Sequence, residues 1–234
     1  MSSHFLFQDR EEAGHALADM LRDIPTRRPL VLGIPRGGVI TAAAIARELH
    51  AELDVILSRK ILAPGQPDLA IGAIAENGNC HFDPLSMPMH DLPYGFIMHQ
   101  KRIHAMGIAK RQSLFRGNGG LPSVAGRTVL VVDDGAATGA TLIAALDAVR
   151  LRSPHYLIAA VPVASPGSLG QIRRHCDELV YLAAPDEFQS ISQFHAYFHE
   201  VKDLEAAAIL HEFTAHAEPA CSWYGFTLSM SRLD

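Results

Sequence analysis

The chain has 234 residues, 48% apolar and 19% charged, with a formal net charge of −5. That is enough for one large core or two small ones, and the acidic balance offers no bulk attraction for nucleic acid or an anionic membrane. Three cysteines (Cys80, Cys176, Cys221) are odd in number and form no C-x-x-C, which argues against a disulfide framework. No basic segment followed by an apolar run opens the sequence. No apolar stretch approaches the ~18 residues of a membrane span, so a cytoplasmic location is expected.

Asp9 with Glu12 three residues on reads as a capped helix start, and Ala13, Leu17, Met20, Leu21 and Ile24 form its apolar stripe, stopped by Pro25. Residues 29–34 read as a short buried strand running into the glycine turn Pro35-Arg36-Gly37-Gly38. Helical periodicity then runs from Val39 to Leu49, and Leu53 to Leu57 gives a second strand ending in Ser58-Arg59-Lys60. Strand, helix, strand predicts a right-handed parallel crossover. Two prolines and a glycine make 62–69 a loop, followed by a third strand from Ala70 to Ala75. From Cys80 to Leu92 the sequence is loop-like, and Phe96 to Phe115 reads as a helix carrying Lys101, Arg102, Lys110 and Arg111, with Arg116 just beyond. The stretch 80–116 is longer than a crossover needs, which predicts an excursion over the site.

Val129-Leu130-Val131-Val132 reads as a strand buried on both faces, as in a parallel sheet. Further on come a strand from Tyr156 to Val163, a helix from Ser165-Pro166 to near Cys176, a strand from Glu178 to Leu182 and a helix from Lys202 to His216. Residues 217–234 carry no periodicity. The alternation predicts an α/β fold, a doubly wound, mainly parallel sheet with helices on both faces. The expected organisation is a single domain over 1–234, with 80–116 as an insertion and 185–234 as a C-terminal decoration.

The chemistry concentrates at residues 133–141. Asp133 and Asp134 end a strand, where open α/β sheets bind ligands. Gly135-Ala136-Ala137-Thr138-Gly139-Ala140-Thr141 then leads into an apolar helical stripe. Amides at such a helix start, with the threonine hydroxyls, suit a phosphate, and the glycines let backbone approach a ligand. Carboxylates beside a phosphate must face hydrogen-bond donors instead, and sugar hydroxyls are the natural choice. The residues therefore describe a site for a ribose 5-phosphate.

This stretch resembles the PRPP-binding motif of type I phosphoribosyltransferases: a hydrophobic strand, two acids, small residues, then T-G-x-T. A wider resemblance to a bacterial branch of that family covers Phe5 to Ala75 and Gly126 to Phe188, including Gly33-Ile34-Pro35-Arg36-Gly37-Gly38-Val39 and Arg59-Lys60-Ile61. Around Gln189 to Phe198 the match weakens at Ser192 and His195. The resemblance implies a hood or lid over the sheet edge, with the lid at 62–69. It implies Asp133 and Asp134 on the ribose, and Gly135, Ala136, Ala137, Thr138, Gly139 and Thr141 on the 5-phosphate. It further implies that Arg36, Gly37, Gly38, Arg59 and Lys60 face pyrophosphate, the 36–38 turn often using a non-proline cis peptide. Mg²⁺ would be held mainly by PRPP oxygens, with no firm protein ligand.

The expected activity is transfer of a 5-phosphoribosyl group from PRPP to a nitrogen nucleophile, foremost a nucleobase, with Asp133, Asp134, Arg36 and Lys60 as the catalytic set. Partners are then PRPP and a small-molecule acceptor, without nucleic acid or membrane, in a fold that often dimerises. A PRPP or nucleotide sensor of the same fold is the alternative, and a phosphohydrolase using Asp133 a weaker one. Arg111 and Arg116 are secondary candidates for phosphate contacts. His195 and His199, four apart, lack a third metal ligand, and His211-Glu212 with His216 misses H-E-x-x-H by one residue.

Overall fold

The computed structural model describes residues 5–82, 93–117 and 119–215. Five parallel strands form the central sheet in the order β2-β1-β6-β7-β8: β1 Leu30–Gly33, β2 Glu52–Val55, β6 Thr128–Val132, β7 Tyr156–Val163 and β8 Glu178–Ala183. β1 and β6 are buried along their whole length, as a sheet covered on both faces requires. Side chains alternate between two cores. Val31, Leu53, Val55, Leu130, Val132, Ile158 and Ala160 face α1 (Arg10–Leu21), α2 (Gly38–Glu48) and α6 (Asp203–Ala215). Leu30, Leu32, Val129, Val131, Leu157 and Ala159 face α4 (Ala140–Arg150) and α5 (Pro166–Ile172). The doubly wound α/β architecture read from the sequence is the architecture observed.

α1 begins at Asp9, whose carboxylate accepts from the amides of Glu11 and Glu12, both at 2.9 Å. Glu12 reaches back to the amide of Gln8, one residue before the cap. The helix ends at Leu21, short of Ile24 and Pro25.

Residues 58–82 depart from expectation. β2 stops at Val55, and Ser58–Ala63 is a separate strand, β3, in an antiparallel sheet with β4 (Gln66–Ala75) and β5 (Cys80–Phe82). The apolar run Leu53 to Leu57 hides the break: Ile56 joins one core and Leu57 the other. Arg59 and Lys60 therefore lie within the first strand of a hairpin, not at the end of β2. The loop expected at 62–69 shrinks to a turn at Pro64 and Gly65, the glycine taking φ 74°. Register shifts around Leu62 bend the strand pair there. The hairpin sheet packs on α4, and Ser58 Oγ donates to the Thr141 carbonyl at 3.1 Å.

Within 80–116, β5 completes the small sheet and α3 spans Tyr94–Arg116, burying Ile108 and Phe115. The prolines at 84 and 88, His216 and the unpatterned 217–234 stretch lie outside the described residues. No helix among the described residues is long and apolar enough to cross a membrane.

Candidate active site

β6 ends at Val132, beside β1 and β7, and delivers Asp133 and Asp134 to the carboxyl edge of the sheet. Asp133 Oδ1 accepts from the Asp134 amide at 2.9 Å. Burial, then the adjacent charge of Asp134, pushes the Asp133 carboxyl well above the usual carboxylate range, partly offset by that hydrogen bond and by Lys60 and Arg10. Asp134 is gripped from α1: Arg10 Nε lies 2.7 Å from Asp134 Oδ2, with side chains only 5% and 14% exposed. Arg10 also donates to the His199 carbonyl at 3.0 Å and stacks over the Phe198 ring at 3.7 Å.

Residues 135–139 form the loop between β6 and α4. The Ala136 amide donates to the Val163 carbonyl at 2.9 Å, and the Ser165 amide donates to the Ala136 carbonyl at 2.8 Å. Ser165 Oγ donates to the Ala137 carbonyl. These contacts pin the loop to β7. Gly139 takes φ 76°, where a side chain would be strained, and an added Cβ would fall 2.9 Å from Ile172. Among the described residues, the amides of Ala137, Thr138, Gly139 and Thr141 have no protein acceptor. Thr138 Oγ1 accepts from the Ala140 amide at 3.4 Å, and the buried Thr141 Oγ1 has no partner. Donors at a helix start that point at no protein acceptor suit an anion, and this loop is the candidate cradle for one.

The turn after β1 faces this cradle. The Pro35–Arg36 peptide is cis, at the entry to the 36–38 turn for which the resemblance implies such a bond. An added Cβ on Gly37 would fall 1.9 Å from Asp134 Oδ2 and 2.7 Å from Arg10 Nε, so only glycine lets the turn lie against the acid pair. Arg36 reaches outward to Glu200, Nη2 to Oε1 at 3.1 Å.

A cleft of about 220 Å³ gathers Arg36, Gly37, Lys60, Asp133, Asp134 and the whole run 135–141, closed by Ile191. Gly38 starts α2 behind it, against Asp133 Cα. Gly38 and Arg59 are the expected site residues that do not line the cleft; Arg59 lines instead an adjoining cavity of about 650 Å³ that shares Arg36, Gly37, Lys60 and Thr141 with it. Arg111, in that cavity, makes a two-point pair with Asp203 at 2.7 and 3.0 Å. Arg116 is a correction: it is buried between Asp54 (2.9 Å) and Glu76 (3.1 Å) and holds the hairpin to the sheet. His195 is buried in extended backbone between Phe7 and Phe198. No group of three or more histidine, cysteine or acidic residues that could cage a metal occurs among the described residues.

Arg10, His104, Phe198 and Glu200 line the larger cavity beside the cleft and were not singled out from the sequence. Arg10 had a signal: it precedes Ala13, Leu17 and Leu21 on one helical stripe, where a charge implies a buried partner. Phe198 and Glu200 come from irregular backbone with no periodicity to mark it.

The family described as phosphoribosyl transferase domain matches residues 8–199. A Mycobacterium tuberculosis protein provisionally named a phosphoribosyl transferase is 34% identical over 215 residues, covering 88% of this chain. The chain spans only 46% of that relative's length. The crystal structure of TT1426 from Thermus thermophilus superposes with a TM-score of 0.74 at 37% identity, covering 88% of this chain and 98% of that one. With the acid pair, the cradle and the glycine turn in one cleft, the chain belongs to the phosphoribosyltransferase family.

Proposed function

We propose that the protein transfers the 5-phosphoribosyl group of PRPP to a nitrogen nucleophile, foremost a nucleobase, releasing pyrophosphate. One observation carries the reading. A carboxylate pair and a cradle of unengaged amides share a 220 Å³ cleft with the glycine turn after β1. The cradle at 135–141 takes the 5-phosphate, with Thr141 Oγ1 as an added donor. Asp133 and Asp134 accept from the ribose hydroxyls and lie beside the positive charge that grows at C1 as its bond to pyrophosphate breaks. The 36–38 turn and Lys60 receive the growing negative charge on the leaving group. Catalysis on this reading is positioning and charge stabilisation by preset groups.

The donor set fits a magnesium ion held mainly through substrate oxygens, since Asp133 and Asp134 are the acidic oxygens nearest and Arg10 already occupies Asp134. Such an ion would neutralise phosphate charge. The protein's own part is to fix the ribose and phosphates around it.

A second reading, a PRPP-binding regulator without turnover, draws support from the Arg36–Glu200 pair, which occupies a pyrophosphate-facing cation. Pyrophosphate release from PRPP with Mg²⁺ across a panel of nucleobases and small amines separates the two. Acceptor-dependent release that disappears when Asp133 and Asp134 are both changed to Asn is the expected result. PRPP binding without release favours the regulator, and no binding at all overturns both.

A further inference from the structure

The cationic wall of the larger cavity does more than the proposed transfer requires. On that reading pyrophosphate is served by the 36–38 turn and Lys60, and Arg36, Gly37 and Lys60 border both spaces. Beyond them the cavity continues to Arg59 on β3 and His104 on α3, neither of which lines the smaller cleft. Arg59 Nε and His104 Nε2 are both buried and, among the described residues, both without a hydrogen-bond partner. The guanidinium of Arg59 lies along α3 at Gly107, 3.5 Å from where a Cβ would stand, one helical turn past His104. The two nitrogens therefore belong to neighbouring side chains on one wall.

Their surroundings supply little negative charge. Arg111, a further turn along α3, is matched by Asp203, and Arg36 by Glu200. Among the described residues Arg59 has no carboxylate partner of its own. Burial, then Arg111, make its guanidinium less basic than usual, Asp203 offsets this in part, and Arg36 adds to it. Burial and Arg59 push His104 down as well. Unpaired donors held close to like charges in a recess are a poor arrangement for an empty wall and a good one for an anion.

We propose that Arg59 and His104 form an anion subsite next to the pyrophosphate turn, placed to take a third phosphate of an oligophosphate chain. This rests on the reading of residues 36–38 as the pyrophosphate site. The shared chemistry is a phosphate group, delivered by a chain that also fills the turn or by free orthophosphate.

Calorimetry with inorganic tripolyphosphate, pyrophosphate and orthophosphate at fixed magnesium tests it. Tripolyphosphate is expected to bind roughly tenfold tighter than pyrophosphate, the gain of about one charge-assisted hydrogen bond. His104→Gln should remove most of that margin and leave pyrophosphate affinity unchanged. Arg59→Gln should weaken tripolyphosphate more than pyrophosphate. Orthophosphate that displaces tripolyphosphate but not pyrophosphate would support a subsite open to free phosphate too. Equal affinity for the two chains in the unaltered protein overturns the subsite and leaves the turn standing. A margin that survives both substitutions places the third phosphate elsewhere and also overturns it. Failure of pyrophosphate itself to bind overturns the turn, and the subsite with it.

Discussion

Arg10 meets a carboxylate, a carbonyl and a phenyl ring with 5% of its surface exposed, so it has exchanged most of its water for protein contacts. Removing one partner of such a pair leaves the other charge buried and unmatched, which costs more than the pair contributes by forming. Arg10→Ala is therefore expected to lower unfolding stability by about 3 kcal/mol, measured by urea denaturation. A midpoint that does not move would mean Asp134 finds solvent when released. Asp133 gives a prediction of opposite character. Its folded carboxyl titrates above the unfolded value of ~3.9, so the folded chain keeps a proton that the unfolded chain loses. That contribution to stability is complete below the unfolded pKa and is lost as pH rises through the folded one. Asp133→Asn cannot ionise, and stability should fall less steeply from acid to neutral pH than in the unaltered protein. An identical pH profile would show that Asp133 is not the titrating group.

The decisive elements are the turn after β1, the loop after β6 and the segment at 194–200, which meets Arg10 and Arg36. Gly37→Ala introduces a methyl where Asp134 Oδ2 now sits, so the acid pair and Arg10 must shift. The variant should lose PRPP binding at least tenfold in calorimetry, the size of one lost charge-assisted contact; unaltered affinity would show that the pair is not part of the ligand site. Glu200 acts from the opposite side, as a carboxylate on a cation that faces the cleft. Both side chains are well exposed and such pairs contribute only ~0–1 kcal/mol. Glu200→Gln should thus raise pyrophosphate affinity by no more than a few-fold, and a fall in affinity would make Glu200 part of the binding surface. The turn and loop were legible because strand hydrophobicity, glycine and acid placement are local signals. The parallel sheet was legible for the same reason, and Tyr156–Val163 matches its strand end to end. The hairpin 58–75 was not, because Pro64 and Gly65 mark a two-residue turn as readily as a long loop. The Arg10 and Glu200 contacts join residues far apart in sequence, and no local pattern encodes them.

At the scale of the whole molecule, the cleft is assembled from segments spread across almost all of the described chain. Leu6 and Phe7 donate to the Phe194 carbonyl at 3.0 Å, and Ala196 and Tyr197 donate back to Phe7 and Gln8 at 2.9 and 2.8 Å. A ligand that binds only the folded cleft stabilises the entire cooperative unit. PRPP with Mg²⁺ at about 100 times its Kd should add ~2.7 kcal/mol, which for a domain of this size raises Tm by roughly 5–10 °C. Scanning calorimetry checks this, and no shift at saturation would show that the cleft is not the binding site.

The backbone pairing between 6–8 and 194–197 also ties the start of the described chain to its far end. It combines a few backbone hydrogen bonds with the buried contact of His195 against Phe7 and Phe198. Parting of this pairing would release the segment that carries Phe198 and Glu200 from the start of the described chain. The amides of Phe7, Ala196 and Tyr197 should therefore exchange with solvent faster than those of β1 and β6, and equal protection would show that the pairing opens only with the whole fold.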